Sequence, residues 1–370
     1  MKTQNNKRIL VLNYEFPPVG GGGGVAAYKL AKGFIKNGYS VDYVTTWFKD
    51  LKKLEVIDGI NIHRINVLGR KELPTATISS LISFPFLAYS KCVELCKKNK
   101  YEFINTHFAV PTGPLGIWVS KRFNIKNILS LHGGDIYDPT KKNSPHRHWY
   151  YRAVVNWVLD KSNFIVAQSS DTKKRVLKWY KVKKNVEIIP LAYECFKFKK
   201  VSRKNLGLIN SKRYVIGCGR MVSRKGFDFF IKVLSKLPED YEGIILGEGP
   251  EKENLLKLAK RLNIINRLHL PGFVSEEKKF QYLDNSDVFF LSSRHEGFGI
   301  VLQEAMQVGL PIVATDNGGQ VDLVKRDNLV RFGNIHVAVR LISLINSNNV
   351  NKLTAFNLNN ICKDYSEILL

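Results

Sequence analysis

Two carboxylates, Glu296 and Glu304, stand with seven residues between them in the stretch Arg294-His295-Glu296-Gly297-Phe298-Gly299-Ile300-Val301-Leu302-Gln303-Glu304. An ionised carboxylate is an acceptor with two oxygens, so each can hold a pair of neighbouring hydroxyls, as on a sugar or a ribose. The flanks say where the pair must sit. Upstream, Asp287-Val288-Phe289-Phe290-Leu291-Ser292-Ser293 is a short apolar run bounded by serines, the pattern of a buried parallel strand. Downstream, residues 299–308 carry apolar side chains at helical spacing, Gly309-Leu310-Pro311 stops the helix, and residues 311–315 read as the next strand. Glu296 is therefore expected on the loop at the carboxyl end of a strand, where open α/β sheets bind ligands, with Glu304 about a turn and a half into the helix.

Other residues supply the complementary charge. Gly219-Arg220-Met221-Val222-Ser223-Arg224-Lys225-Gly226 joins a strand at 214–219 to a helix at 227–237. Arg220 offers a planar guanidinium and Lys225 an ammonium, a combination suited to a diphosphate, and the helix start adds its positive end; Arg224 is expected to face solvent. His132 closes the strand 127–131 and precedes Gly133-Gly134-Asp135, the active-site position of such a sheet. Five glycines, Gly20 to Gly24, lie between a strand at 7–13 and a helix at 25–36, where bare amides can approach an anion or a sugar. That run is not a dinucleotide fingerprint, and Asp42 lends ribose binding only weak support.

These loops need a scaffold of alternating strands and helices. At 370 residues the chain exceeds one ordinary core. Strands at 7–13, 41–45, 60–65, 103–107, 127–131, 164–168 and 186–189 make a first doubly wound sheet, and a lysine-rich stretch at 190–211 reads as the linker. A second series begins at 214, so the expected fold class is α/β with two doubly wound Rossmann-like domains facing across a cleft, residues 1–193 and 194–370. A helix over 77–97 opens with Ile78, Leu81, Ile82, Phe84, Phe86 and Leu87, read mostly as core with a membrane-interface role as the alternative. The five cysteines show no zinc-like clustering and read as reduced thiols.

Charge is uneven. The net charge is +25, and residues 1–200 carry 34 Lys and Arg against 14 Asp and Glu. Such a field favours an anionic membrane face, an acidic acceptor or nucleic acid. No run of eighteen apolar residues occurs, and the first residues lead into a strand rather than an apolar signal segment, so the expected place is the cytoplasm, peripheral at the inner membrane face.

Taken in order, residues 7 to about 325 resemble the retaining glycosyltransferases of family four, with the GT-B fold. The resemblance rests on Phe16-Pro17-Pro18 with the glycine loop, His132-Gly133-Gly134-Asp135, Gly219-Arg220 to Lys225-Gly226, Gly247-Glu248-Gly249-Pro250, and Glu296-Gly297-Phe298-Gly299 to Glu304-Ala305-Met306. It implies that Arg220 and Lys225 hold the donor diphosphate, that Gly219 belongs to that loop, and that Glu296 binds hydroxyls of the transferred sugar. It further implies that Gly297, Phe298 and Gly299 present amides to sugar or phosphate, that Glu304 binds the ribose, and that Phe273 and Val274 meet the nucleobase. His132 would contact the sugar, and Gly23 and Gly24 would close over the donor from the first domain. No Asp-x-Asp pair occurs, consistent with a metal-free site in which fixed cations neutralise the departing diphosphate.

The expected function is thus a retaining, metal-independent hexosyltransferase, with a nucleoside diphosphate sugar as substrate, no cofactor, and a glycan or lipid-linked acceptor in cell-surface polysaccharide or glycolipid synthesis. Two alternatives share the fold: a sugar-nucleotide epimerase, which needs no acceptor, and a donor-binding but inactive partner subunit. The second is suggested by an abrupt end at 364–370, where the last helix that returns to the first domain in similar proteins is expected to be short or missing. Nucleic acid is not an expected partner, because no recognition helix or stacking motif accompanies the charge.

Overall fold

The computed structural model describes residues 7–73, 75–345 and 356–369. The chain divides into two compact units, residues 1–194 with 356–370, and residues 195–355.

The first unit contains strands β1 (Arg8–Leu12), β2 (Ser40–Thr46), β3 (Leu54–Ile57), β4 (Ile60–Ile65), β5 (Phe103–His107), β6 (Asn127–Leu131), β7 (Phe164–Ala167) and β8 (Val186–Ile188). Its helices are α1 (Gly22–Lys36), α2 (Ile78–Lys98), α3 (Gly113–Phe123), α4 (Trp149–Lys161) and α5 (Ser170–Trp179). The sheet order is β3-β4-β2-β1-β5-β6-β7-β8, parallel except for β3 against β4. Parallel strands joined through right-handed crossovers put helices on both faces. Ile9, Val11, Val41 and Tyr43 of the strands pack against Phe34 of α1, while Leu10, Leu12 and Val44 pack against Phe84 of α2 and Leu115 of α3. β3 went unread in the sequence because it is an edge strand with alternating exposure and no apolar run.

The second unit holds β9 (Arg213–Cys218), α6 (Phe227–Leu234), β10 (Tyr241–Leu246), α7 (Lys252–Arg261), β11 (Leu268–Gly272), α8 (Glu276–Asp284), β12 (Val288–Leu291), α9 (Ile300–Gln307), β13 (Ile312–Thr315), β14 (Leu329–Val330) and α10 (Ile335–Leu344). Its sheet runs β11-β10-β9-β12-β13-β14, all parallel. The order reverses beside β9 and β12, and the loops that leave the carboxyl ends of those two strands carry Arg220 to Lys225 and Glu296.

Two expectations are corrected. A last helix, α11 (Leu358–Glu367), is present, and residues 356–369 belong to the first unit rather than to a second domain running from 194 to 370. Tyr365 of α11 bonds Ser130 of β6 at 2.9 Å and packs its ring 6.1 Å from Phe34, and Ile361 and Cys362 are buried in the same core. The apolar start of α2 divides between two faces: Phe84 is fully buried, while Ile78, Ile82 and Phe86 are 57%, 61% and 63% exposed.

Candidate active site

In the second unit, the buried strand β12 delivers Ser292, Ser293 and then Glu296 to the carboxyl edge of the sheet. Glu296 Oε1 accepts from Arg224 Nη1 at 2.8 Å, and Oε2 accepts from Lys225 Nζ at 2.7 Å and from Ser293 Oγ at 3.2 Å. Burial alone would push this carboxyl up, but the Arg224 and Lys225 charges outweigh it and hold Glu296 well below the usual carboxylate range. The carboxylate is therefore an acceptor, unsuited to donating a proton.

The loops are braced as a unit. Arg294 forks onto Asp228 at 2.7 and 2.8 Å and also donates to the Ser223 carbonyl, tying the 294–299 loop to the 220–226 loop. Gly319 donates its amide to the Glu296 carbonyl at 2.7 Å, so the loop after β13 braces the same residue. Gly219, at φ 147°, leaves the space where a Cβ would come within 3.0 Å of Lys225 Cε, and the lysine stem lies there. Arg220 is exposed on the same loop. Arg224, expected at the solvent, instead turns onto Glu296, because residues 223–225 form a tight 3₁₀ turn.

Glu304 lies on α9 and takes a different cation: Lys279 Nζ donates to Glu304 Oε1 at 2.8 Å and to Glu276 at 2.9 Å. Burial would lower the Lys279 ammonium, and the two carboxylates reverse that and raise it, keeping the cation charged. Gly299, at φ 97°, opens α9, Gly297 precedes it, and the Phe298 ring is buried beneath the turn. Phe273 and Val274 follow β11 at the same edge, with the Phe273 ring 87% exposed. Among the described residues no group of three or more His, Cys, Asp or Glu side chains is placed to hold a metal ion.

The first unit carries a cluster of another kind. His132 follows β6, and its Nε2 lies 2.9 Å from Nδ1 of His107 at the end of β5. Burial pushes the His132 imidazole down to about 4 and His107 well below its ordinary value, so both rings are neutral at physiological pH. Asp135 accepts the backbone amides of His132 at 3.0 Å and Ala109 at 2.7 Å, which fixes the loop, and burial raises its carboxyl to about 6. The Phe108 ring packs at a tilt 4.6 Å from His132 and also bounds Gly23, where a Cβ would fall 2.2 Å from Phe108 Cζ. Gly23 and His132 thus meet through Phe108.

At the glycine loop the expectation of bare amides is corrected. Glu15 Oε2 accepts the amides of Gly21 at 3.0 Å and Gly24 at 3.1 Å, capping the start of α1 from within the chain. Gly24 is required by this packing, since a Cβ there would lie 2.9 Å from Glu15 Cβ. His107, Glu15, Arg224 and Lys279 were missed as parts of these clusters, and Asp135 was read only as the end of the His132 motif. The signal that could have found His107 is its place at the end of β5, matching His132 at the end of β6.

Comparison with known proteins gives the family and the fold. The model for "Glycosyltransferase Family 4" matches residues 20–195, and that for "Glycosyl transferases group 1" matches residues 198–364. Among curated relatives, the 2-deoxystreptamine N-acetyl-D-glucosaminyltransferase of Niallia circulans is 27% identical over 82% of this chain and 82% of its own. Among solved structures, sucrose-phosphate synthase from Thermosynechococcus elongatus superposes with a TM-score of 0.79 at 18% identity, over 98% of this chain and 96% of its own. Anabaena HepE, solved in complex with UDP and glucose, gives 0.73 at 20% identity, over 98% and 97%. With both halves of the chain matched and the same architecture in these neighbours, this chain belongs to the family-four glycosyltransferases of the GT-B fold.

Proposed function

We propose that this glycosyltransferase moves a hexose, with retention and without a bound metal, from a nucleoside diphosphate sugar to a glycan or lipid-linked acceptor in cell-surface polysaccharide or glycolipid synthesis. The observation that carries the reading is the Glu296 carboxylate held between Arg224 and Lys225 at the carboxyl edge of the second sheet. It is a pre-assembled set of one acceptor and two cations: the acceptor suits sugar hydroxyls, and the cations suit the charge that gathers on a departing diphosphate. Arg220 on the same loop adds a third cation. Glu304, held by Lys279, is the ribose acceptor, and Phe273 and Val274 lie beside the base. HepE, a fold neighbour, has been solved with UDP, with UDP and glucose, and with UDP-glucose, which supports this class of donor.

In the reaction the bond from the anomeric carbon to the diphosphate oxygen breaks and the bond to the acceptor oxygen forms on the same face. The acceptor's hydroxyl proton passes to the leaving diphosphate. Lys225 and Arg220 stabilise the growing negative charge, and Glu296 orients the sugar. His132 keeps an uncharged imidazole, fit for hydrogen bonding to hydroxyls rather than for acid catalysis. The basic first unit faces the acceptor and an anionic membrane surface on the cytoplasmic side. The test is a thermal-shift panel of nucleoside diphosphate sugars, followed by transfer assays with the product anomer read by NMR. Stabilisation by one nucleotide sugar and formation of a product with the donor's anomeric configuration are expected. Stabilisation by DNA or RNA and by no nucleotide sugar would overturn the reading.

A further inference from the structure

Helices α2, α3 and α4 follow strands that progress in one direction across the first sheet, so right-handed crossovers lay them side by side on one face, with their N-terminal ends at the carboxyl edge that carries His132. The outer side of this layer is not polar where it should be. Ile78, Ile82 and Phe86 recur every four residues on the N-terminal half of α2, and all three are more than half exposed. Phe86 packs its ring at a tilt, 5.2 Å from Trp118 of α3, which continues the stripe, and α4 opens with Trp149, 76% exposed, followed by Tyr150 and Val154. A soluble surface rarely gathers so many large apolar side chains at one end of one layer. At this same end the loops that lead into α2 and α4 carry Lys71, Lys141, Lys142 and Arg147, all exposed, with Glu72 as the exposed acid, and Arg152 follows in the first turn of α4.

We propose that this band is a docking surface for an anionic lipid bilayer, with the aromatic and aliphatic side chains inserted at the headgroup level and the surrounding lysines and arginines set against lipid phosphates. Charge decides the occupant. Two copies meeting through this face would bring two basic surfaces together, whereas an anionic leaflet complements both the apolar band and its cations. No helix among the described residues is long and apolar enough to cross a membrane, so the contact is interfacial. Because the band lies at the carboxyl edge, docking would bring the His132 edge toward the leaflet, where a lipid-linked acceptor is presented. The proposal rests on the transferase reading for that acceptor, and on the surface alone for the docking.

The experiment is vesicle co-sedimentation of the full chain, comparing pure phosphatidylcholine with vesicles about one-third phosphatidylglycerol, at low and high salt. Binding to the anionic vesicles that falls with salt is expected. The Ile82→Asp/Phe86→Asp double variant, with both positions exposed, should keep the wild-type circular dichroism and lose about tenfold or more in vesicle affinity. Nucleotide release in the presence of a water-soluble acceptor, measured on the same samples, should be unchanged. Wild-type chain that stays in the supernatant, a double variant that binds as well as wild type, or a wild-type dimer that the variant dissolves into monomers would each overturn the docking surface. Vesicle binding that persists while no sugar transfer is found would overturn the transferase reading alone.

Discussion

The two units present their loops at the carboxyl ends of parallel strands, yet they solve opposite electrostatic problems. In the second unit the functional groups are charged and stay charged: Glu296 is held ionised by Arg224 and Lys225, and Glu304 lies against Lys279. In the first unit burial keeps the two imidazoles, His132 and His107, uncharged and raises the Asp135 carboxyl to about 6. The contrast separates two tasks. A departing diphosphate needs fixed positive charge, whereas hydroxyls of a sugar or acceptor need hydrogen-bonding groups without a strong field. The same topology serves both because burial and ion pairing, not strand order, set the charge state of a side chain.

The largest effect that would break this comparison is expected at Lys225. Lys225→Ala should lower kcat/KM for transfer by about 100-fold to 1,000-fold, the usual cost of removing a group that stabilises developing negative charge. Circular dichroism should show an intact fold, since Arg224 still partners Glu296. Next, Glu304→Ala should weaken donor binding by about tenfold, as loss of a charged hydrogen bond does, with Lys279 left on Glu276. Unchanged donor affinity in both variants would remove the charged site from the second unit.

A smaller effect concerns the first unit. Gly23→Ala pushes a methyl group into the Phe108 ring and should cost about 1–3 kcal/mol of stability, read by chemical denaturation. Unaltered stability with lost donor affinity would mean that Gly23 is there for the ligand alone.

The smallest expected effect is the pH dependence. His132 has a folded pKa of about 4 against an ordinary value of 6.5, so its neutral form favours the fold above 6.5 and that contribution is lost as pH falls toward 4. Asp135 acts in the opposite sense: with a folded pKa of about 6 against 3.8, its contribution is present below 3.8 and lost as pH rises through 6. His107, shifted in the same direction as His132, adds to the imidazole side. Stability should therefore rise with pH across this window, less steeply than two imidazoles alone would give, and Asp135→Asn should steepen it. The His132 ring resonances should not titrate between about pH 5 and 8; a midpoint near the free-imidazole value would erase the contrast.

Much of the scaffold was legible because buried parallel strands are continuous apolar runs, as at Ile9 to Leu12 and Val288 to Leu291. The elements that escaped lack that signature. β3 is an exposed edge, α3 begins with Gly113-Pro114, and α11 mixes polar residues with the four that seat it, Leu358, Ile361, Cys362 and Tyr365. Glu296, Lys225 and His132 were picked out by their place on loops at strand ends, and Glu304 by its spacing from Glu296 along the following helix, both local properties. Their partners were not, because Arg224, Lys279 and His107 reach them from other loops and helices, and only tertiary structure sets those distances. The same limit explains the glycine loop: Glu15 stands six residues before Gly21, and nothing in the spacing says that its carboxylate folds back onto those amides.

The most direct test of the division of labour is calorimetric titration of nucleoside diphosphates, without sugar, onto the wild-type chain, Lys225→Ala and His132→Ala. Tight binding to wild type, at least about tenfold weaker binding to Lys225→Ala and undiminished binding to His132→Ala are predicted. Equal affinity in wild type and Lys225→Ala, or an equal loss in both variants, would contradict the assignment of the diphosphate to the charged cluster of the second unit.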